Sequence, residues 1–123
     1  MSKDRNQFDL EDRLIEFAVR IIKLSETLPK SHVGKHLSGQ PIRCGTSPAP
    51  NYGEAQGAES RSDFIHKMKV CLKELRETKV WLKMIIEAEL INPVSKLDSL
   101  LTENDQLIAI FVKSIETARN NRR

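Results

Sequence analysis

Four basic residues between positions 69 and 83 have a spacing that would place them on one side of a helix. Lys69, Lys73 and Arg76 follow one another at intervals of four and three, and Lys83 comes seven residues later. Side chains at such intervals are neighbours on a helical surface, and a row of cations can contact successive phosphates of a nucleic acid. The alternative is a solvated face that neighbouring glutamates partly neutralise.

The other residue types that support chemistry occur without a motif. His32 and His36 can share a helical face, but no His-Glu-x-x-His or Glu-x-x-His motif supplies a third zinc ligand. Cys44 and Cys71 are too few and too far apart for a metal or disulfide motif, and we expect Cys71 to pack in a core. Nucleophile elbows, phosphate loops and dinucleotide fingerprints are missing. We therefore predict no enzymatic activity, no metal and no cofactor.

A second polar group lies between residues 51 and 77. Its members are Asn51, Glu54, Ser60, Arg61, Asp63 and Glu77. Ser60 with Asp63 three residues later is a variant of the capping box that begins a helix. We interpret the group as a network of hydrogen bonds and ion pairs between two helices. A ligand or partner site is the alternative interpretation.

Length and composition indicate one soluble domain. The 123 residues are 39% hydrophobic and 30% charged, and no apolar stretch is long enough for a membrane span or a signal region. We expect a cytoplasmic protein that does not enter a membrane. The net charge of +3 is uneven, because residues 30–83 carry a net +5 and each flanking segment carries −1. A polyanionic partner would be attracted to the middle of the chain.

Apolar residues at alternating spacings of three and four predict helices over about 9–28, 61–90 and 95–118. Asp9 is the expected N-cap of the first helix, and Pro29 ends it. In the last helix Asn104 falls on the apolar stripe, where a polar residue either fixes register or points sideways to solvent. The tail Arg119–Arg123 is expected to fray. When only local preferences are considered, residues 39–53 are predicted to form a loop, because three prolines in this segment lack an amide donor. They are Pro41, Pro48 and Pro50.

Short motifs from Asp12 to Ile115 carry a specific resemblance when taken together. They are Phe17-Ala18, Leu28-Pro29, Arg43, Thr46-Ser47, Asn51, Glu54-Ala55, Ser60, Asp63-Phe64, Lys73-Glu74, Glu77-Thr78 and Trp81-Leu82. In this combination the chain resembles the four-helix-bundle proteins encoded by intervening sequences of bacterial 23S ribosomal RNA genes. The resemblance implies an all-α, up-down-up-down bundle that assembles as a homopentamer. It also implies a helix over about 34–56, kinked because Pro48 and Pro50 depart from the family's pattern.

A related branch, the accessory variability proteins of diversity-generating retroelements, binds nucleic acid and a reverse transcriptase through a basic surface. The resemblance therefore implies a non-enzymatic oligomer that binds RNA or DNA, most simply structured RNA, and a protein partner such as a reverse transcriptase. The residues assigned to the nucleic acid are Lys69, Lys73, Arg76, Lys83 and Arg43. Other basic surfaces are Lys30 with Lys35, and the tail. The alternative function is a structural or protein-binding scaffold without nucleic-acid activity.

Association is also predicted from the sequence. Five apolar residues of the third helix lie beside or beyond its main stripe, and a single small bundle has little room to bury all of them. They are Ile65, Val70, Leu72, Val80 and Trp81. Large exposed apolar patches on soluble proteins usually mark interfaces.

Overall fold

The computed structural model describes residues 5–121, with side chains from residue 10 onward. It contains five helical segments: α1 (Arg5–Thr27), α2 (His32–Thr46), α3 (Pro48–Gln56), α4 (Arg61–Glu87) and α5 (Ser95–Asn120). Because α2 and α3 follow each other across a single residue, they form one interrupted helix. The result is an all-α four-helix bundle, as the sequence predicts. None of the described helices combines the length and apolar character that crossing a membrane requires.

Successive elements of the bundle run in opposite directions, in an up-down-up-down arrangement. This follows from the residues that face one another. Between α1 and α2 they are Ser25 with Ser38 and Ile21 with Gly45, and between α2–α3 and α4 they are Arg43 with Glu77 and Glu54 with Lys67. Between α4 and α5 they are Lys79 with Asp105 and Leu72 with Ile115, and between α1 and α5 they are Arg13 with Glu103 and Arg20 with Ser99. In each pair of elements, a later residue of one lies beside an earlier residue of the next.

The core is formed by one stripe from each helix. On α4 the buried positions are Met68, Cys71, Leu75, Thr78, Leu82 and Ile85, which are members of the predicted stripe. Phe17 and Ile21 of α1 and Phe111 of α5 are also fully enclosed. Burying a large apolar side chain contributes about 1.5–3 kcal/mol, so these stripes hold the four elements together.

The interruption between α2 and α3 has a covalent cause. Pro48 and Pro50 lack the amide protons that would otherwise bond the carbonyls four residues earlier, and Ser47 falls outside both helices. Its backbone nevertheless keeps helical angles (φ −70°, ψ −36°). Asn51 spans the break, since its side-chain amide donates to the Ser47 carbonyl at 2.9 Å and to the Ser47 hydroxyl at 2.8 Å. The helix is therefore interrupted at Ser47, and both of its parts stay packed in the bundle.

Several helix ends differ from the prediction. The chain is already helical at Arg5, so Asp9 lies inside α1 and is not its N-cap. The second helix begins at His32, because the Ser31 hydroxyl accepts a hydrogen bond from the Gly34 amide. Glu89 adopts a positive φ of 57°, which is incompatible with continuing the helix, so α4 ends at Glu87 and not near residue 90. At the other end of the chain α5 continues to Asn120.

Asn104 is completely buried, so the interpretation that it points to solvent was wrong. In the amide orientation that satisfies both of its polar atoms, Nδ2 donates to the Leu75 carbonyl at 3.1 Å. Its Oδ1 accepts from the backbone amide of Lys79, also at 3.1 Å. The side chain thus bonds directly to the backbone of α4, and a slip of one helix along the other would break both bonds.

Gly34→Ala should destabilise the protein. A Cβ atom at Gly34 would lie 2.0 Å from the Pro29 carbonyl oxygen, a backbone atom that cannot rotate away. We expect a loss of about 1–3 kcal/mol, typical of overpacking. Gly39→Ala is the matched control, because it is in the same helix with nothing within 4 Å of its added methyl, and it should stabilise by about 0.5–1 kcal/mol. Urea unfolding measures both. Equal effects of the two changes would contradict the close packing of α2 on Pro29.

Asn104→Ala should cost about 1–3 kcal/mol, because it removes two hydrogen bonds of a fully buried side chain and leaves a cavity where the carboxamide stood. Asn104→Asp should cost more, since a carboxylate cannot donate to the Leu75 carbonyl and its charge would be buried. The exposed Asn120→Ala on the same helix is the control and should be nearly neutral. Denaturant midpoints of the three variants check the order, and an Asp variant as stable as the Ala variant would contradict the assigned bonds.

Candidate nucleic-acid interface

The four predicted basic residues of α4 are all exposed: Lys69, Lys73, Arg76 and Lys83. Their positions follow from the start of the helix, where the Ser60 hydroxyl accepts a hydrogen bond from the Asp63 amide at 3.1 Å. With the apolar stripe turned inward, lysines spaced by three and four residues remain on the outer flank that faces α5. The helix therefore presents a continuous row of cations.

A groove between α4 and α5 brings two of these cations together with a third. Lys69 and Arg76 line it from α4, and Arg119 lines it from α5. Its volume is about 190 Å³, and apolar side chains of both helices form its floor. Glu116 is the acidic residue at its edge. The groove thus combines guanidinium and ammonium groups from two helices, which the α4 sequence alone does not reveal.

Arg119 was expected to fray with the tail, and this was wrong, because α5 is helical at Arg119 and continues through Asn120. Arg122 and Arg123 lie outside the described residues. The signal for Arg119 was present in the sequence, since it follows Ile115, a buried residue, by one helical turn. Its neighbours across the groove become visible only when the register of two antiparallel helices is known.

Not all predicted basic residues converge on the groove. Lys73 and Lys83 extend the row on α4 but do not line the groove. Arg43 belongs to α2, on the opposite flank of α4, where its guanidinium donates to Glu77 at 2.9 Å and to Gln40 at 3.0 Å. Its charge is therefore shared with a carboxylate, and the structure separates it from the other four.

Charge pairing distinguishes the row from other lysines of α4. Lys79 pairs with Asp105 at 2.8 Å, and Lys67 lies 3.4 Å from Glu54. Within residues 10–121, in contrast, no ion pair involves the cations of the groove and row, which are Lys69, Lys73, Arg76, Lys83 and Arg119. A counterion or ligand can bind them without breaking a salt bridge.

The polar group at residues 51–77 is only partly an inter-helix network. Glu54 reaches α4 through Lys67, which also lies 3.9 Å from Asp63. Glu77 receives Arg43 and, at 3.4 Å, the Trp81 indole nitrogen. Asn51 bonds locally to Ser47, and Ser60 caps α4. Arg61 has no ion pair in the described part of the chain. The cations that join the helices are therefore Lys67 and Arg43, which sequence reasoning did not assign to this role.

The two cysteines lie in the interior, where burial suppresses thiol chemistry. Burial raises the pKa of the Cys71 thiol to about 12, and it also raises the pKa of Cys44. Both thiols therefore stay protonated near neutral pH and are weak nucleophiles. The Cys71 thiol donates to the Pro48 carbonyl at 3.6 Å. Among the described residues no group of three His, Cys, Asp or Glu side chains is arranged to hold a metal ion.

The two aromatic residues considered for stacking on bases, Tyr52 and Trp81, already pack against other rings of the protein. Tyr52 is 6% exposed and meets Phe111 edge-on, with ring centroids 6.0 Å apart. Trp81 is half-buried and contacts His36 edge-on at 5.9 Å. His36 thus packs edge-on against an indole. Around the basic row the described surface offers cations, while Tyr52 and Trp81 are packed against other rings, which suits phosphate contacts better than single-stranded bases.

These features define an all-helical bundle with a basic surface, and comparison with known proteins identifies its family. The chain matches the sequence model of the 23S rRNA-intervening sequence protein family over residues 6–113, and it belongs to that family. It is also similar to a crystal structure of a protein of unknown function from the S23 ribosomal protein family of Bacteroides thetaiotaomicron. The two chains are 35% identical with a TM-score of 0.81, over 88% of this chain and 99% of the other. No curated protein matches the chain significantly.

Proposed function

We propose that this protein is a non-enzymatic nucleic-acid-binding protein, and that its groove and basic row contact the phosphates of structured RNA. The observation that carries the proposal is the convergence of Lys69, Arg76 and Arg119 at the groove, where none of the three forms an ion pair within residues 10–121, although Glu116 also lines it. Arginine and lysine side chains bind phosphate oxygens through charge-assisted hydrogen bonds. Lys73 and Lys83 extend the row along α4, so that a duplex lying against this helix would meet several cations.

The residue types on the surface favour binding of a duplex over binding of a single strand. Cations that contact phosphates bind RNA without reading its bases, whereas single-strand binders combine a basic groove with exposed aromatic residues. Both candidate aromatic residues, Tyr52 and Trp81, are packed against other rings. Binding should therefore depend strongly on salt and weakly on sequence.

The RNA-binding prediction is tested with a fluorescently labelled RNA hairpin and fluorescence anisotropy between about 50 and 200 mM salt, where phosphate contacts weaken steeply. Lys69→Glu with Arg76→Glu should weaken binding by at least about tenfold, and should reduce the slope of log affinity against log salt by roughly two. Both side chains are exposed, so helicity should not change.

The matched control is Lys30→Glu with Lys35→Glu, which makes the same change of charge on another exposed basic surface. It should bind nearly as well as the wild type. The opposite ranking of the two double variants would place the contact surface on Lys30 and Lys35. No binding by the wild type at the lowest salt would contradict nucleic-acid binding and leave the scaffold function as the better proposal.

We also propose that the protein acts as an oligomer, and an exposed apolar stripe on α1 supports this. Ile15, Val19 and Ile22 recur at intervals of four and three and are 46%, 41% and 42% exposed. The residues of α4 from which association was predicted contribute little, since Ile65 and Leu72 pack against the core. Val80 alone of that group is exposed, at 51%. The resemblance in sequence suggests five subunits, in which each basic row would be repeated and add avidity.

Ile15→Glu with Ile22→Glu should dissociate the oligomer into 14.0 kDa subunits, because two charges would enter an apolar interface. Light scattering coupled to size-exclusion chromatography measures the mass. Val33→Glu is the control: Val33 is 58% exposed on α2, away from the stripe, and the variant should remain assembled. A wild type that is monomeric at micromolar concentration would contradict the assembly.

A further inference from the structure

A second concave surface lies between the end of α1 and the beginning of α5. This cleft has a volume of about 250 Å³. Its walls are apolar, with Leu24 on α1 facing Leu97 and Leu100 on α5, and Ile91 of the α4–α5 connection at its end. Leu97, Leu100 and Ile91 are at most 6% exposed. The surrounding structure thus holds these walls in place, and the cleft is preformed.

Three cations surround the apolar walls of this cleft: Arg20 and Lys23 on α1, and Lys96 in the first turn of α5. None of them forms an ion pair within residues 10–121. Arg20 donates a hydrogen bond to the Ser99 hydroxyl, which is neutral and leaves the charge of the guanidinium uncompensated. The beginning of α5 adds the positive end of a helix dipole. Asp98 in the same first turn offsets part of this field, and the three cations leave the rim net positive around an apolar interior.

The geometry points to a binding site for a small amphipathic anion, with one carboxylate-like head and an apolar body. The head would accept hydrogen bonds from Lys23, Lys96 and Arg20, as charged donors prefer. The body would cover Leu24 and the aliphatic stems of Arg20 and Lys23 and release water from them, because Leu97 and Leu100 are already nearly buried and form the base of the cleft. Small-molecule sites generally combine apolar walls with a few polar groups that fix orientation.

The dimensions and position of the cleft separate it from the groove between α4 and α5. It has room for about eight water molecules at roughly 30 Å³ each, which suits a chain of medium length and excludes a folded RNA. Leu97 in the cleft and Ile115 in the groove are about 27 Å apart along α5, at a rise of 1.5 Å per residue. The two surfaces can therefore be changed independently.

Octanoate at concentrations below micelle formation is a suitable probe, measured by isothermal titration calorimetry on the full-length protein as it assembles. We expect saturable binding with one site per subunit. Methyl resonances of Leu24, Leu97 and Leu100 should shift in nuclear magnetic resonance spectra. Acetate has the head without the body, octylammonium has the body with the opposite charge, and neither should bind comparably.

Lys23→Gln with Lys96→Gln should weaken octanoate binding by about tenfold, the loss expected when charged hydrogen bonds are removed. Both residues are exposed, so the fold should be preserved. Lys30→Gln with Lys113→Gln changes the charge equally outside the cleft and should bind as the wild type does. The proposal is overturned if octanoate does not bind at millimolar concentration, if octylammonium binds as tightly, or if the Lys23 and Lys96 variant is unaffected.

Discussion

The register of α5 against α4 is the constraint on which both surface features depend. It is set near the middle of α5, where the Asn104 carboxamide bonds to two backbone groups of α4 and the adjacent Asp105 receives Lys79 at 2.8 Å. The C-terminal half of α5 then places Arg119 at the groove, and its N-terminal half places Lys96, Leu97 and Leu100 at the cleft. A slip of one helical turn, about 5.4 Å, would separate Arg119 from the lysines of α4. A buried polar residue thus has a consequence for surface chemistry at both ends of the bundle.

The break at Ser47 is the second constraint, and it determines how the irregular helix follows α4. The missing amides of Pro48 and Pro50 remove two hydrogen bonds to the carbonyls four residues earlier, while Asn51 and Cys71 make other hydrogen bonds beside the break. Asn51 bonds to Ser47, and the Cys71 thiol donates to the Pro48 carbonyl. Donation requires the protonated thiol, and burial keeps Cys71 in that form by raising its pKa to about 12. Cys71 is therefore better understood as a buried hydrogen-bond donor beside the break at Ser47 than as a reactive group.

The sequence predicted the features that repeat along a single helix, but it missed the features that depend on how two helices pack together. The stripe of α4, the Ser60 cap and the exposure of Lys69 and Arg76 follow from spacing alone. Arg119 could not be assigned in this way, because it joins those residues only through the antiparallel packing of helices distant in sequence. Exposed apolar residues were predicted on α4, where Val80 is one of them, but Ile65 and Leu72 are covered by neighbouring helices, and α1 has an exposed apolar stripe that was not predicted. The interrupted second helix was predicted from family resemblance, because the three prolines of residues 39–53 indicate a loop when only local preferences are considered.

Charge counted along the sequence predicted a basic region in the middle of the chain, whereas folding brings together a further group of cations at the cleft. The residues of the cleft rim come from segments that each have a net charge of −1, so the sequence gives no indication of them. Folding changes this because two acidic residues of those segments are paired: Glu103 receives Arg13 at 2.8 Å, and Asp105 receives Lys79 from the basic middle segment. Carboxylates held in such pairs contribute little to the field at the cleft, since the charge of each is balanced by a close cation. Lys23 and Lys96 then act as a local cluster. The distribution of ion pairs, more than the number of charged residues, determines where this bundle can attract an anion.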